Sequence, residues 1–208
     1  MSFWGVLVVA LGLGLERLTY AWVWHRPTAF QALCKRAPFR ALASPTDALE
    51  YLFWGFKTLQ AAIFLTWCWL WGGGVVRLPA WDPAMIAGLL LVGSGQVLNL
   101  GVFHRLGRTG VFYGNRFGYA VPWCHRFPFS VLRHPQYVGT LLSIWGFFLV
   151  MRFPHLDWVV LPLLETAYYT LGSYLERQAG GDSGRVRPEP GGTCGPPVAH
   201  PPASAPLA

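Results

Sequence analysis

Apolar runs of bilayer length restrict what this chain can fold into more than any other feature. Residues 2–24 carry only two charges, Glu16 and Arg17, residues 51–71 carry only Lys57, and residues 83–103 carry none. Each is long enough to cross a hydrocarbon layer of about 30 Å as a helix. Residues 136–151 form a fourth, shorter run, and residues 156–175 form a fifth with Glu165 inside it. Between these two lies Arg152-Phe-Pro-His-Leu-Asp157. A proline-bearing turn of this kind joins neighbouring helices, so the pair reads as a helical hairpin.

Composition agrees. Charged residues are 12% of the chain, against about 25% in an average soluble domain. Hydrophobic residues are 53% and include 11 Trp. A soluble protein of this size could not bury that much apolar surface, so an ordinary cytosolic domain and a disordered chain are both excluded. The expected fold is all-α and polytopic. It has four to five transmembrane helices, at about 2–24, 48–71, 83–103, 136–151 and 156–176, in one membrane-embedded domain, 1–177. The first run lacks a basic leader and a small-residue cleavage site, so it reads as a retained helix. From residue 178 to 208 the chain turns dense in Gly and Pro and loses its aromatics. Such a composition cannot offset chain entropy by burial, and a disordered tail is expected.

The net charge of +7 could suggest nucleic acid, but its placement argues against that. The segment 25–46 holds Arg26, Lys35, Arg36 and Arg40 without an acid, and 104–137 holds Arg105, Arg108, Arg116, Arg126 and Arg133 without an acid. With five crossings both segments fall on one side of the membrane, which by the positive-inside rule is the cytoplasm. The N-terminus is then lumenal and the tail cytoplasmic. Cys34, Cys68, Cys124 and Cys194 stand singly, with no spacing that suggests a disulfide framework or a metal site.

Three features carry potential chemistry. The first is the long basic loop. It contains Gly110-Val-Phe-Tyr-Gly114-Asn-Arg116-Phe-Gly118, then Phe127-Pro-Phe129, then Arg133-His134-Pro135-Gln-Tyr137-Val-Gly139. Long loops tend to be functional, and aromatic rings with Arg suit a ligand that has a flat ring and an acidic group. The alternative is an interfacial connector whose aromatics rest at headgroup depth. The second is Gly93-Ser-Gly95-Gln96-Val-Leu-Asn99 on the third apolar run. Gly-x-Gly in a membrane helix is commonly a packing surface. Gln96 and Asn99 share a helical face and need polar partners inside a bilayer. The third is Glu165 with Glu176, eleven residues and about three turns apart, hence on one face together with Tyr169 and Gly172. A carboxyl at Glu165 needs a partner such as Lys57 or a water-filled cavity. Glu50, seven residues before Lys57, is a competing partner for that lysine.

Together these stretches resemble the small integral-membrane phospholipid N-methyltransferases, most of all their plant-type branch. The resemblance rests on Gly95-Gln-Val-Leu-Asn99, Tyr113-Gly-Asn-Arg-Phe-Gly118, Pro122-Trp123, Phe127-Pro-Phe129, Pro135-Gln-Tyr-Val-Gly139 and the closing Tyr174-Leu-Glu176. Several short strings in one order are far more specific than any one of them. The resemblance implies a fold like that of isoprenylcysteine carboxyl methyltransferases. It also implies an endoplasmic-reticulum membrane, and transfer of methyl groups from S-adenosyl-L-methionine to phosphatidyl-N-methylethanolamine and its dimethyl form, giving phosphatidylcholine. No metal and no nucleic acid are expected to take part. The implied cofactor contacts are Gly93, Gly95, Arg133, His134, Pro135, Tyr137 and Glu176, and Gln96, Asn99, Tyr113 and Gly114 are further candidates for the same pocket. The family has a glutamate pair at the Glu176 site, and here Leu175 occupies its first position. Glu165, His134 and Tyr137 are candidates for the catalytic work, including taking the amine proton. Arg116, Arg126 and Arg133 are candidates for the lipid phosphate, with Phe127 and Phe129 beside them.

Three other readings compete. One is a methyltransferase for a prenylated-cysteine carboxylate or a small thiol. Another is a nicotinamide-dependent membrane reductase, against which stand Gln136 and Thr140, where the related reductase motif has Asn and Glu. The third is a non-catalytic protein that keeps the fold.

Overall fold

The computed structural model describes residues 3–71, 81–121, 124, 126–151 and 156–180, and every regular element among them is helical. The helices are α1 (Phe3–His25), α2 (Pro27–Cys34), α3 (Pro45–Trp71), α4 (Pro83–Val111), α5 (Pro135–Val150) and α6 (Val160–Gly180). Short 3-10 turns cover Phe39–Ala41, Gly114–Phe117 and Leu156–Val159.

Local chemistry starts these helices where they start. Proline occupies the first turn of α2, α4 and α5, where its missing N–H costs nothing and its fixed φ suits the helix. The Asp82 carboxylate accepts from the Met85 amide at 2.8 Å and caps α4. Ser44 accepts from the Asp47 amide at 3.2 Å and donates to its carboxylate at 2.7 Å, a side-chain cap ahead of α3.

α4 and α5 pack more extensively than any other helix pair described, and glycine is the reason. A methyl group on Gly95 would overlap the Gly139 carbonyl oxygen. One on Gly88 would lie 2.8 Å from the Gly146 oxygen. The two antiparallel Gly–Gly crossings sit two helical turns apart and let the backbones touch, as small residues do between membrane helices. α1 packs against α6 and α3, and α5 closes onto α6. One core cluster joins Phe64, Trp67, Phe148, Leu161 and Tyr169. The other joins Tyr20, Phe30, Leu49 and Phe112.

The faces are inverted relative to a soluble bundle. On α1, Trp4, Val8, Leu11, Leu15, Leu18 and Trp22 are exposed, while Glu16 is buried. α3 and α6 bury Gln60 and Glu165, while Trp54, Leu65, Trp69 and Leu163 face outward. Polar groups inside and large apolar side chains outside are what hydrocarbon as solvent requires. Trp4–His25 and the stretch Pro83–Phe117, which contains α4, are long and apolar enough to cross a membrane, and Pro135–Val150 is a shorter apolar helix.

Several expectations change. α2 was not expected within the basic segment 25–46. α4 runs to Val111, past the expected end at 103, turning at Gly107 with φ 62°. The last helix extends through residues 178–180, where the tail was expected to begin. The rest of that tail and the turn at 152–155 lie outside the described residues. Cys124 is disulfide-bonded, where no disulfide was expected, whereas Cys34 and Cys68 are free thiols. Lys57 pairs with Glu16 and not with Glu50, which instead meets Arg108.

Candidate functional site

A cavity of about 1070 Å³ opens among α1, α3, α4, α5, the end of α6 and the loop that follows α4. Most of its wall is apolar, including Leu49, Phe53, Phe64, Leu100 and Phe147. Polar groups gather in two places.

The first is built around Glu176, near the end of α6. Its Oε1 accepts from the Tyr113 hydroxyl at 2.8 Å and from the Tyr137 hydroxyl at 2.5 Å. Its carbonyl oxygen accepts from the Trp24 indole at 3.2 Å. Three distant pieces of chain therefore meet on one residue. Each arrives for a local reason. Pro135 opens α5 and sets Tyr137 in its first turn. Tyr113 adopts a left-handed backbone, φ 56°, where the chain leaves α4. A non-glycine residue rarely adopts that conformation and needs its surroundings to hold it there. Gly114 permits the turn that follows, since a methyl there would lie 2.6 Å from the Thr109 carbonyl oxygen. His134 also lines the cavity and stacks on the Tyr137 ring at 5.8 Å.

The second place is deeper. Arg17 on α1 lies over the Tyr169 ring, 4.0 Å from its centroid, and donates to its hydroxyl at 3.2 Å. Glu16 pairs with Arg17 at 2.8 Å and with Lys57 at 3.0 Å. Lys57 also donates to Gln60 at 3.0 Å, and the Gln60 amide donates to Glu165 at 2.6 Å. Arg17, Lys57 and Gln60 line the cavity, and Glu16 and Glu165 stand behind them.

The structure thus brings Tyr113, His134, Pro135, Tyr137, Gln96, Asn99, Phe129, Arg133 and Glu176 to one cavity. Gln96 reaches across to donate to Ser143 at 3.0 Å. Asn99 Oδ1 is buried with no hydrogen-bond partner among the described residues. Other expected site residues lie elsewhere. Gly95 is consumed by the α4–α5 crossing, and Gly93 faces open space. Gly114 is buried beneath the wall against Thr109. Arg116 stacks on Trp24, 4.0 Å from the ring centroid. Arg126 and Phe127 are exposed outside the cavity. Glu165 does not meet Lys57, and Gln60 separates it from the cavity. Reasoning from sequence missed Arg17, Tyr20, Trp24, Lys57 and Gln60. Their signal was present in Glu16, Arg17 and Lys57, the charges interrupting otherwise apolar runs.

This wall suits a small ligand that carries both a flat ring and polar groups. It offers tyrosine and tryptophan faces, a carboxylate held by two phenols, and the orphaned acceptor of Asn99. Comparison with known proteins points the same way. A family model described as phospholipid methyltransferase matches residues 83–179. The chain is 31% identical over 138 residues to the phosphatidyl-N-methylethanolamine N-methyltransferase of Arabidopsis thaliana, covering 66% of this chain and 75% of that protein. It is 42% identical over 60 residues to the Saccharomyces cerevisiae protein of the same name, covering 28% of this chain and 29% of the relative. It is 41% identical over 68 residues to the phosphatidylethanolamine N-methyltransferase of Rattus norvegicus, covering 32% of this chain and 34% of the relative. No solved structure matches significantly. With a helical scaffold turned apolar side outward, a cavity anchored on Glu176, and likeness to the plant enzyme across three quarters of that enzyme's length, this chain belongs to the phospholipid methyltransferase family.

Proposed function

We propose that this protein methylates the amine of phosphatidyl-N-methylethanolamine, and then of the dimethyl lipid, to give phosphatidylcholine, with S-adenosylmethionine as donor. The observation that carries the reading is Glu176 bridging Tyr113 and Tyr137 on the wall of a cavity that is otherwise largely apolar. Such a cavity would take a polar donor beside Glu176 and a lipid against its apolar wall. The 31% identity to the plant enzyme supplies the acceptor class.

S-adenosylmethionine, when bound, supplies the methyl group on a sulfonium. The chain's own work is positional, because displacement needs donor and amine in line and dry. Glu176, Tyr113, Tyr137 and Asn99 would hold the donor. Gly95 would serve it indirectly, by seating α4 on α5 so that Gln96 and Asn99 face the cavity. The amine must be deprotonated before it attacks. His134 and Glu176, both at the cavity wall, are the acceptors in reach. Glu165, behind Gln60, would hold α3 against α6 instead. The rings of Tyr113 and Tyr137, beside Glu176, would face the methylated ammonium.

We read α1, α3, α4, α5 and α6 as five crossings with an isoprenylcysteine-carboxyl-methyltransferase-like arrangement. The N-terminus is then lumenal, the Glu176 end of the cavity cytoplasmic, and the membrane in a eukaryote the endoplasmic reticulum. The basic segments 25–46 and 104–137 support that orientation.

The test uses membranes of a host without lipid methylation, expressing this chain and supplied with labelled donor. Unmethylated, monomethyl and dimethyl phosphatidylethanolamine are added separately and the lipid products are read by mass. Label on the mono- and dimethyl lipids is expected. No label on any of the three would sink the proposal.

A further inference from the structure

The deeper polar cluster turns its cations toward the cavity. Glu16 is one carboxylate shared by two cations, Arg17 at 2.8 Å and Lys57 at 3.0 Å. Glu165 forms no ion pair among the described residues and takes its hydrogen bond from the neutral Gln60 amide. Glu16, Arg17 and Lys57 alone carry a formal +1, and the Glu165 carboxyl that balances it is set apart behind Gln60. The geometry also sorts the signs: both cations line the cavity and the carboxylate lies behind them.

Arg17 is built for a ligand. Its side chain is 10% exposed. It is fixed by the Tyr169 ring and hydroxyl. Its Nε is buried and has no hydrogen-bond partner among the described residues. An unmatched guanidinium N–H in an apolar, membrane-depth cavity is costly unless an acceptor completes it. The planar fork of Arg suits an oxyanion with two acceptor oxygens. The same cavity is lined by Leu49, Phe53, Phe64 and Phe147, an apolar wall that suits the part of a lipid where acyl chains begin. The carboxylate of Glu176 is close by: Arg17 also lies 5.9 Å from the centroid of the Tyr137 ring, whose hydroxyl donates to Glu176. A carboxylate and a guanidinium on either side of one tyrosine complement a headgroup that is cationic at its amine and anionic at its phosphodiester.

We infer that Arg17, supported by Lys57, forms the subsite for the phosphodiester of the lipid acceptor. This rests on the methyl-transfer reading above. It moves phosphate recognition from the loop arginines to two N-terminal helices, α1 and α3, that precede the segment matched by the family model.

The test pairs a substitution with a change in the acceptor. The purified full-length protein is given N-methylated phospholipid, or a diacyl analogue in which an uncharged carbonate replaces the phosphodiester. Wild type is expected to favour the phosphodiester. In Arg17→Gln the ratio of the two kcat/KM values should fall roughly 10- to 100-fold, as for loss of a charge-assisted hydrogen bond. Arg17→Lys, which keeps the charge without the fork, should recover part of it. Methyl-donor affinity, measured by titration calorimetry, should not move. Equal losses on both acceptors would overturn the subsite, as would a weakened donor affinity, which would assign Arg17 to the donor's carboxylate. If Arg17→Gln does not fold, Lys57→Gln is read by the same ratio. Wild type active on both acceptors without discrimination defeats the subsite alone. Wild type inactive on both defeats the methyl-transfer reading and the subsite with it.

Discussion

Two glutamates on one face of α6 have opposite surroundings, and their substitutions should part accordingly. Glu176 lines the cavity and accepts two phenolic protons. Glu176→Gln keeps the size and removes the charge, so donor affinity and kcat/KM should fall about 10- to 100-fold, the worth of hydrogen bonds to an ionised group. Glu165 is 1% exposed and reaches the cavity only through Gln60. A general base at that position would contribute roughly 10²- to 10⁴-fold. Glu165→Gln should cost far less than a hundredfold in kcat and leave donor affinity alone, and a larger loss of kcat at unchanged folding would return Glu165 to the chemistry. The helical arithmetic that put both residues on one face was sound. It could not show which of them faces a cavity, because that depends on the partners α3 and α5 bring. The same holds for Arg17 and Lys57, visible in the sequence as interruptions of apolar runs but joined only across α1 and α3.

At the scale of elements, the Gly-x-Gly of α4 separates packing from ligand contact. Gly95 touches α5 backbone, which cannot yield, whereas Gly93 has nothing within 4 Å. Gly95→Ala should lower stability by about 1–3 kcal/mol through overpacking. Gly93→Ala should be neutral or stabilising by up to about 1 kcal/mol, since Ala favours a helix over Gly. Thermal unfolding in detergent checks both, and calorimetric titration of the methyl donor separates the remaining reading. A stable Gly93→Ala protein that no longer binds donor would mean that Gly93 meets the ligand directly. The helices themselves were legible because apolar runs and Pro starts coincide, as at Pro83 and Pro135. Their ends were less so. α4 carries on past residue 103 because Arg105 and Arg108 are good helix formers and Arg108 meets Asp47 at 2.8 Å. α2 escaped notice because its single buried side chain, Phe30, gives eight residues too little periodicity to register.

For the whole molecule, the inverted faces and the one-sided basic segments make a joint claim about orientation. If α1, α3, α4, α5 and α6 each cross once, the 3-10 turn Phe39–Ala41 and the loop before α5 share a side. The N-terminus and the connection after α3 share the other. Fewer crossings would break that pairing: were α3 to lie along the surface, the two basic segments would separate. The comparison needs a protein cleared of background thiols by Ser at Cys34, Cys68, Cys124 and Cys194, with one cysteine returned at a time. Ala41→Cys and Ser130→Cys, the latter exposed in the loop before α5, should both react with a membrane-impermeant maleimide added to the cytoplasmic face of sealed vesicles. Trp81→Cys, 81% exposed just ahead of α4, should react only after the vesicles are opened. Protection of Ala41→Cys with labelling of Ser130→Cys would remove one crossing between them. It would overturn the five-crossing arrangement and leave the Arg17–Tyr137–Glu176 contacts in place, because the helices make those with one another whatever their orientation in the bilayer.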